Sequence, residues 1–215
     1  MLTLPIEANQ VSRVLVIGRS ELVLSETVRI LRRKGHAAGA SNDFDHVLTL
    51  FDMTAVDVVV FGGMVRPETK EHLRQQIQGR NPEVVFVQGF AGIPGLIAAQ
   101  VEAALTPADG AGVRPAVTFA TQTRTVALQL DRPQDVQVVA WWATSFTPPD
   151  PRSTSRVIVG AEFPAGQHTV TLPGEVPAQA WFVTVTVGDV VQAFIAGPMP
   201  AGTTMASLPQ PPNAS

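Results

Sequence analysis

The sequence contains no cysteine. That absence excludes disulfide bonds, thiol nucleophiles, iron–sulfur clusters and zinc sites with thiolate ligands. A chain without cysteine is most simply assigned to a reducing compartment, so we expect the protein in the cytoplasm. The sequence also lacks an apolar run long enough to cross a membrane, and its first residues do not have the pattern of a signal peptide. We therefore expect a soluble protein with no membrane partner.

Charged residues make up only 15% of the chain, and the formal net charge is −3. Lys and Arg are concentrated only at Arg32, Arg33 and Lys34, at the end of a predicted helix, where cations interact favourably with the helix dipole. The sequence therefore predicts no basic surface for nucleic acid. Hydrophobic residues reach 45%, which predicts folded domains rather than disorder.

The motifs of common catalytic and metal sites are absent too. None of the four histidines, which are His36, His46, His72 and His168, belongs to an HxxxH or HExxH pair. No GxSxG or GxGxxG motif occurs. We expect no metal, no cofactor and no catalytic residue, and an enzyme would need a constellation that these patterns do not reveal.

The first half of the chain alternates short apolar runs with amphipathic segments. The runs are rich in β-branched residues, which is typical of buried parallel strands. Ser20 can cap the first helix and Gly35 can end it. The alternation predicts right-handed crossovers and a doubly wound parallel sheet. The predicted strands are 13–18, 36–40, 56–63 and 83–89, and the predicted helices are 20–35, 44–53, 67–79 and 95–105.

The second half contains seven short runs of alternating character with turn residues between them. This pattern predicts an antiparallel β-sandwich, and it resembles the immunoglobulin and fibronectin-like sandwiches. Composition shifts to Pro, Gly and Ala between the two halves, which indicates a linker. The predicted organisation is an α/β domain at 1–105, a linker at 106–115, a sandwich at 116–198 and a flexible tail at 199–215.

A ligand site is predicted at one edge of the parallel sheet, because ligands bind such sheets at the carboxyl ends of the strands. The residues that follow the predicted strands are small or polar. We predict a ligand-binding edge lined by Gly18, Arg19, Ser20, Asn42, Gly62, Gly63, Gln88 and Gly89. Arg19 and the helix start at Ser20 would suit a small anion. The glycines can equally serve turns or close backbone packing.

The run RVLVIG and the segment VDVVVFGGMVRPETKEHLRQQIQGRNPEVVFVQG give the first domain a recognisable pattern. Over residues 12–105 it resembles the receiver domain of bacterial response regulators, a flavodoxin-like or Rossmann-like fold. The resemblance implies an acidic pair, a phosphate-accepting aspartate, a hydroxyl residue and a lysine, which together neutralise a phosphoryl group and magnesium. The matching positions hold Gly18 and Arg19, then Gly62, then Gln88 or Gly89. We therefore expect a pseudo-receiver without the phosphorylation pocket.

The adjacent pair Trp141 and Trp142 is a candidate interface. Side chains alternate along a strand, so one tryptophan should enter the sandwich core and the other should point outward. An outward tryptophan can mark a contact with the first domain or with a partner.

Two functions follow from these observations. The first is a non-catalytic interaction or regulatory protein, with a protein partner or a second copy as its ligand. The alternative is a protein that binds a nucleotide or another small phosphorylated ligand at the carboxyl edge of the parallel sheet.

Overall fold

The computed structural model describes residues 11–90, 92–105, 115–145, 152–178, 182–188 and 190–197. The first part contains β1 (Arg13–Ile17), α1 (Glu21–Arg33), β2 (Ala37–Ser41), α2 (Val47–Leu50), a 3-10 turn (Met53–Ala55), β3 (Val58–Phe61), α3 (Pro67–Gln78), β4 (Val85–Gln88) and α4 (Pro94–Leu105). The second part contains β5 (Ala116–Ala120), β6 (Thr125–Leu130), β7 (Gln134–Ser145), β8 (Arg152–Phe163), β9 (Gly166–Thr171), β10 (Phe182–Val187) and β11 (Val190–Ile195). Apart from Pro115, the predicted linker lies outside the described residues, as does the predicted tail.

The four strands of the first part form a parallel sheet in the order β2-β1-β3-β4. The sheet has a hydrophobic core on each face, because β1 and β3 are apolar on both sides. Helices α1 and α4 pack on one face, and α2 and α3 pack on the other. A right-handed crossover to a fifth strand beyond β4 would put α4 beside α3. Because α4 lies beside α1 instead, the parallel sheet of the described residues ends at β4.

Local signals explain where the helices begin and end. The Ser20 side chain accepts a hydrogen bond from the Val23 N–H and caps α1, and Gly35 follows the helix with a φ of 95°. Helix α2 is shorter than the predicted 44–53. Its C-cap, Phe51, is extended, and Asp52 starts a separate 3-10 turn by accepting from the Thr54 N–H. The side chain of Asp52 thus competes with continuation of the helix.

The seven strands of the second part form two antiparallel sheets, β11-β10-β7-β8 and β5-β6-β9. Alternate residues of β6, β7 and β10 point between the sheets and form one core. Trp142 packs against this core, whereas Trp141 belongs to a different cluster. The adjacent tryptophans therefore lie on opposite faces of β7, as strand geometry requires.

The two parts of the chain meet at α4. Phe90, Ile93 and Leu96 are buried together with Phe182, and Trp141 packs against them. The rings of Phe90 and Phe182 are stacked, with their centroids 5.1 Å apart. This cluster makes α4 the middle layer between the parallel sheet and the outer face of the sheet β11-β10-β7-β8. No helix among the described residues is long and apolar enough to cross a membrane.

Candidate functional site

The outer face of the sheet β11-β10-β7-β8 is only partly covered by α4. Register places Phe182 opposite Trp141 at the covered end, and Thr184 opposite Val139 further along. An open space of about 1690 Å³ lies between this face of the sheet and helices α1 and α4. We call this space the cleft. Its floor is formed by Gln137, Val139, Trp141, Val157, Thr184, Thr186 and Val191.

Helices α1 and α4 form the opposite wall of the cleft. The α1 side presents a mixture of apolar and charged residues, and the α4 side is mainly apolar. These wall residues are Leu22, Val23, Glu26, Ile30 and Lys34 from α1 and the residue after it, and Pro94, Gly95, Ala99, Glu102 and Leu105 from α4. The cleft therefore has a mixed lining, in which aliphatic side chains and Trp141 alternate with hydroxyl, amide and charged groups.

Trp141 fixes the closed end of the cleft. Its indole Nε1 donates a hydrogen bond to Thr184 Oγ1 at 2.8 Å, which holds the ring against the sheet. The ring lies against Gly95, where a side chain on α4 would collide with it. The absence of a side chain at Gly95 thus allows α4 to approach the sheet, and the cleft opens away from this contact.

A small polar cluster lies at the other end of α4. His36 Nε2 is 2.6 Å from Glu102 Oε1, and Lys34 Nζ is 3.4 Å from Glu102 Oε2. The His36 side chain is only 10% exposed, and its Nδ1 atom is buried without a hydrogen-bond partner among the described groups. The tautomer that donates from Nε2 to Glu102 fits this geometry. The cluster ties α4 to the segment between α1 and β2.

Strand β8 forms the outer rim of the cleft. Across the described sheet it pairs only with β7, so its other edge is free. Ser153, Ser155 and Val157 face the cleft, and Val157 is 57% exposed. A bulge interrupts the pairing between Val157 and Val159. The rim therefore offers unpaired backbone groups on one side of a long strand.

The predicted ligand-binding edge is formed by close packing of glycine backbones. A Cβ on Gly62 would lie 3.3 Å from the Gly18 Cα, and a Cβ on Gly89 would lie 3.3 Å from Val60 and 3.4 Å from Ile97. Gly62 N–H donates to the Ile17 carbonyl at 2.8 Å. The structure brings these glycines together, but as neighbours within the fold. Gly63 is exposed, and a Cβ there would lie 3.7 Å from the Gly89 carbonyl oxygen.

The polar residues of the predicted edge are spread along it. Arg19 is exposed, with its guanidinium carbon 5.9 Å from the centre of the Phe44 ring, and Ser20 serves as the cap of α1. Asn42 is exposed after β2. Gln88 bridges backbone carbonyls, because its amide nitrogen donates to Phe61 at 3.0 Å. None of the eight predicted edge residues lines the cleft.

Sequence reasoning missed the cleft itself and one cation at the predicted edge. Lys70 Nζ donates to Gln88 Oε1 at 2.9 Å, from helix α3. Burial, and secondly the charge of Arg74, lower the pKa of Lys70. The spacing of the basic residues along α3 was the sequence signal that could have indicated this cation. In the part of the chain that the structure describes, no group of three or more His, Asp or Glu side chains is arranged to hold a metal ion.

Comparisons with known proteins add little to this geometry. No protein-family model matches the chain, and no curated protein is significantly similar to it. The chain is similar at 12% identity to the crystal structure of protein AGR_C_4864 from Agrobacterium tumefaciens, a match that covers 94% of this chain and 100% of that one. The TM-score of that match is 0.32, which supports no inference about fold or function.

Proposed function

We propose that this chain is a non-catalytic interaction protein that binds an extended segment of a partner protein in the cleft. The size of the cleft carries the proposal. Small-molecule pockets usually enclose about 300–1,000 Å³. The cleft has a volume of about 1690 Å³ and is partly open to solvent. A polypeptide segment fills such a groove better than a metabolite does.

The free edge of β8 supports strand addition as the mode of binding. A peptide that pairs with an exposed strand gains backbone hydrogen bonds, and its alternate side chains enter pockets beside the sheet. Here Ser153, Ser155 and Val157 alternate along the rim and face the cleft. The backbone of β8 would supply affinity, and the wall of α1 would supply selectivity.

The residues at the receiver positions support a non-catalytic role. Gly18, Arg19 and Gly62 have no carboxylate that could hold magnesium or accept a phosphoryl group. His36, which also lines the cleft, is already engaged with Glu102. An interaction surface needs no such groups.

Strand order supports the receiver resemblance with one departure. The order β2-β1-β3-β4 equals the first four strands of a flavodoxin-like sheet, which continues with a fifth. Here α4 returns to the face of α1 and meets the sandwich. The sandwich also departs from the constant-type immunoglobulin pattern, because β8 pairs with β7 and not with the sheet of β5, β6 and β9. Both departures help to frame the cleft.

A peptide selection tests the proposed function. Random peptides displayed on phage are selected against the whole chain, and the affinity of the best binder is measured by fluorescence anisotropy. Val157→Asp places a carboxylate at an apolar position of the cleft floor, which should weaken binding about tenfold or more. Leu50→Asp is the matched control, because Leu50 is also an exposed aliphatic residue but lies on α2, on the opposite face of the parallel sheet.

Two results would overturn the proposal. One is the absence of any peptide that binds in a saturable manner. The other is a binder whose affinity responds equally to both substitutions, since its site would then lie elsewhere. A binder weakened by Val157→Asp alone supports the cleft as the binding surface.

A further inference from the structure

Helix α3 and its N-cap carry cations without counter-ions. Lys70 and Arg74 are four residues apart on α3, so they lie on one side of the helix, and Arg66 is the extended N-cap. Among the described residues, none of the three forms an ion pair with a carboxylate. Like charges at this spacing repel each other and destabilise a helix. The fold therefore keeps the positive charges of Lys70 and Arg74 close together, with Arg66 nearby, and no carboxylate of the described residues neutralises them.

Lys70 is the best-defined of these cations. Its ammonium donates to the neutral amide oxygen of Gln88 at 2.9 Å, beside the carboxyl end of β4. The side chain is half-buried. An ammonium carries three donors, and a single amide acceptor leaves its charge uncompensated. Burial and the neighbouring Arg74 lower the pKa of Lys70, in agreement with a cation that lacks an anionic partner.

Arg74 lies one turn further along α3. Its guanidinium carbon is 5.2 Å from the centre of the Phe86 ring, so one face of the group is packed against an aromatic side chain. Its Nε atom is buried and has no hydrogen-bond partner within the described ranges. A guanidinium has five N–H donors. Phe86 holds the plane of the guanidinium but accepts none of its ordinary hydrogen bonds.

We propose that Lys70 and Arg74 form a binding site for a phosphate-class dianion beside the carboxyl end of β4. Two neighbouring cations match a double negative charge, and about 6 Å of helix axis separates the residues. The several oxygens of a tetrahedral anion can accept from both groups at once. Gln88 holds the ammonium in place, and Phe86 holds the guanidinium. Arg66 extends the positive potential toward the start of α3.

This site is separate from the cleft and goes beyond the proposed interaction function. It also differs from the predicted ligand-binding edge, with which it shares only Gln88. Its ligand could be free phosphate or the phosphoryl group of a small molecule. Inorganic phosphate and a phosphorylated sugar are therefore compared as probes, each against chloride at equal ionic strength.

Isothermal titration of the whole chain tests the site. Wild-type protein should bind phosphate in a saturable manner, and Lys70→Gln and Arg74→Gln should each lower the affinity about tenfold or more, because each removes a charge-assisted hydrogen bond. Arg33→Gln is the control, since Arg33 is an exposed cation in the last turn of α1. It should leave the affinity unchanged. In wild-type protein, phosphate should also raise the pKa of Lys70 in an NMR titration.

The proposal is contradicted if neither anion binds more than chloride does, or if the control weakens binding as much as the two variants. A Lys70 pKa that does not move with phosphate contradicts it independently of how well the variants fold. Stronger binding of the phosphorylated sugar than of phosphate would assign the site to a phosphorylated small molecule, and equal binding would assign it to free phosphate.

Discussion

Gly95 and the ring of Trp141 are in such close contact that no larger residue fits at the glycine position. A Cβ added to Gly95 would lie 2.3 Å from Cζ3 and 2.5 Å from Cη2 of Trp141. The indole cannot withdraw easily, because its Nε1 is bonded to Thr184. This pair therefore sets the distance between α4 and β7, and with it the closed end of the cleft.

The first prediction concerns this contact. Gly95→Ala should destabilise the fold by about 1–3 kcal/mol, as overpacking in a closed contact usually does. Chemical denaturation measures the change. Gly174→Ala should change stability little, since a Cβ at Gly174 meets nothing within 4 Å. A double variant with Trp141→Leu should recover part of the loss, and strict additivity of the two effects would contradict the contact.

The second prediction concerns cooperativity between the two parts. Trp141 and Trp142 lie on β7, so their fluorescence reports on the sandwich and its junction with α4, and circular dichroism reports on α1, α3 and α4. Because Leu96 and Phe182 share one core, both signals should change in a single transition. Leu96→Ala should cost about 2–5 kcal/mol. Separate midpoints in the wild-type protein would show that the shared core does not couple the parts.

Much of the fold could be predicted because local signals agree with it. The apolar runs gave β1, β3 and β4, and alternation gave the seven strands of the second part. The predicted length of α2 was too long, because the pattern of apolar residues gave no weight to the local capping signal of Asp52, whose side chain accepts from the Thr54 N–H two residues later. The face of the parallel sheet on which α4 packs could not be predicted either, because it depends on contacts between α4 and the sandwich.

The third prediction tests the packing of the predicted ligand-binding edge. Gly62→Ala should destabilise the protein by about 1–3 kcal/mol, because its Cβ would press against the backbone of Gly18. Gly63→Ala is the adjacent control, where the nearest atom is 3.7 Å away, and it should have a small effect. Equal costs for the two substitutions, measured by urea denaturation, would refute a special role for the close approach at Gly62.

The fourth prediction concerns pH. Asp43 raises the pKa of His46 through a 2.8 Å hydrogen bond, and His46 in turn lowers the pKa of Asp43. The stabilisation linked to the raised pKa of His46 is fully present below the ordinary pKa of histidine. It is lost as pH rises through the raised pKa. The aspartate contribution is present above its ordinary pKa and is lost as pH falls through the lowered value.

An NMR titration of the His46 ring measures this pair. Asp43→Asn should return the pKa of His46 toward about 6.5. Asp45→Asn should lower it less, because Asp45 acts only through its charge. A His46 pKa that is the same in wild type and in Asp43→Asn would contradict the hydrogen bond.

The candidate sites were harder to predict than the fold. The rules for parallel sheets predict a ligand-binding edge at the residues after each strand, and that edge stays a prediction. The structure shows close packing at Gly18, Gly62 and Gly89. The predicted interface at Trp141 and Trp142 stays a prediction, and in the structure Trp141 lies at the junction with α4. The cleft depends on how two distant segments meet, which no local pattern in either segment encodes.

Photo-crosslinking tests the central claim, that the cleft binds a partner protein, most directly. A photoreactive amino acid replaces Val157 in the cleft or Leu50 on α2, and the full chain is irradiated in cells that make it naturally. We expect one protein adduct that forms from position 157 and not from position 50. The same adduct from both positions, or none from position 157, would contradict the assignment of the cleft.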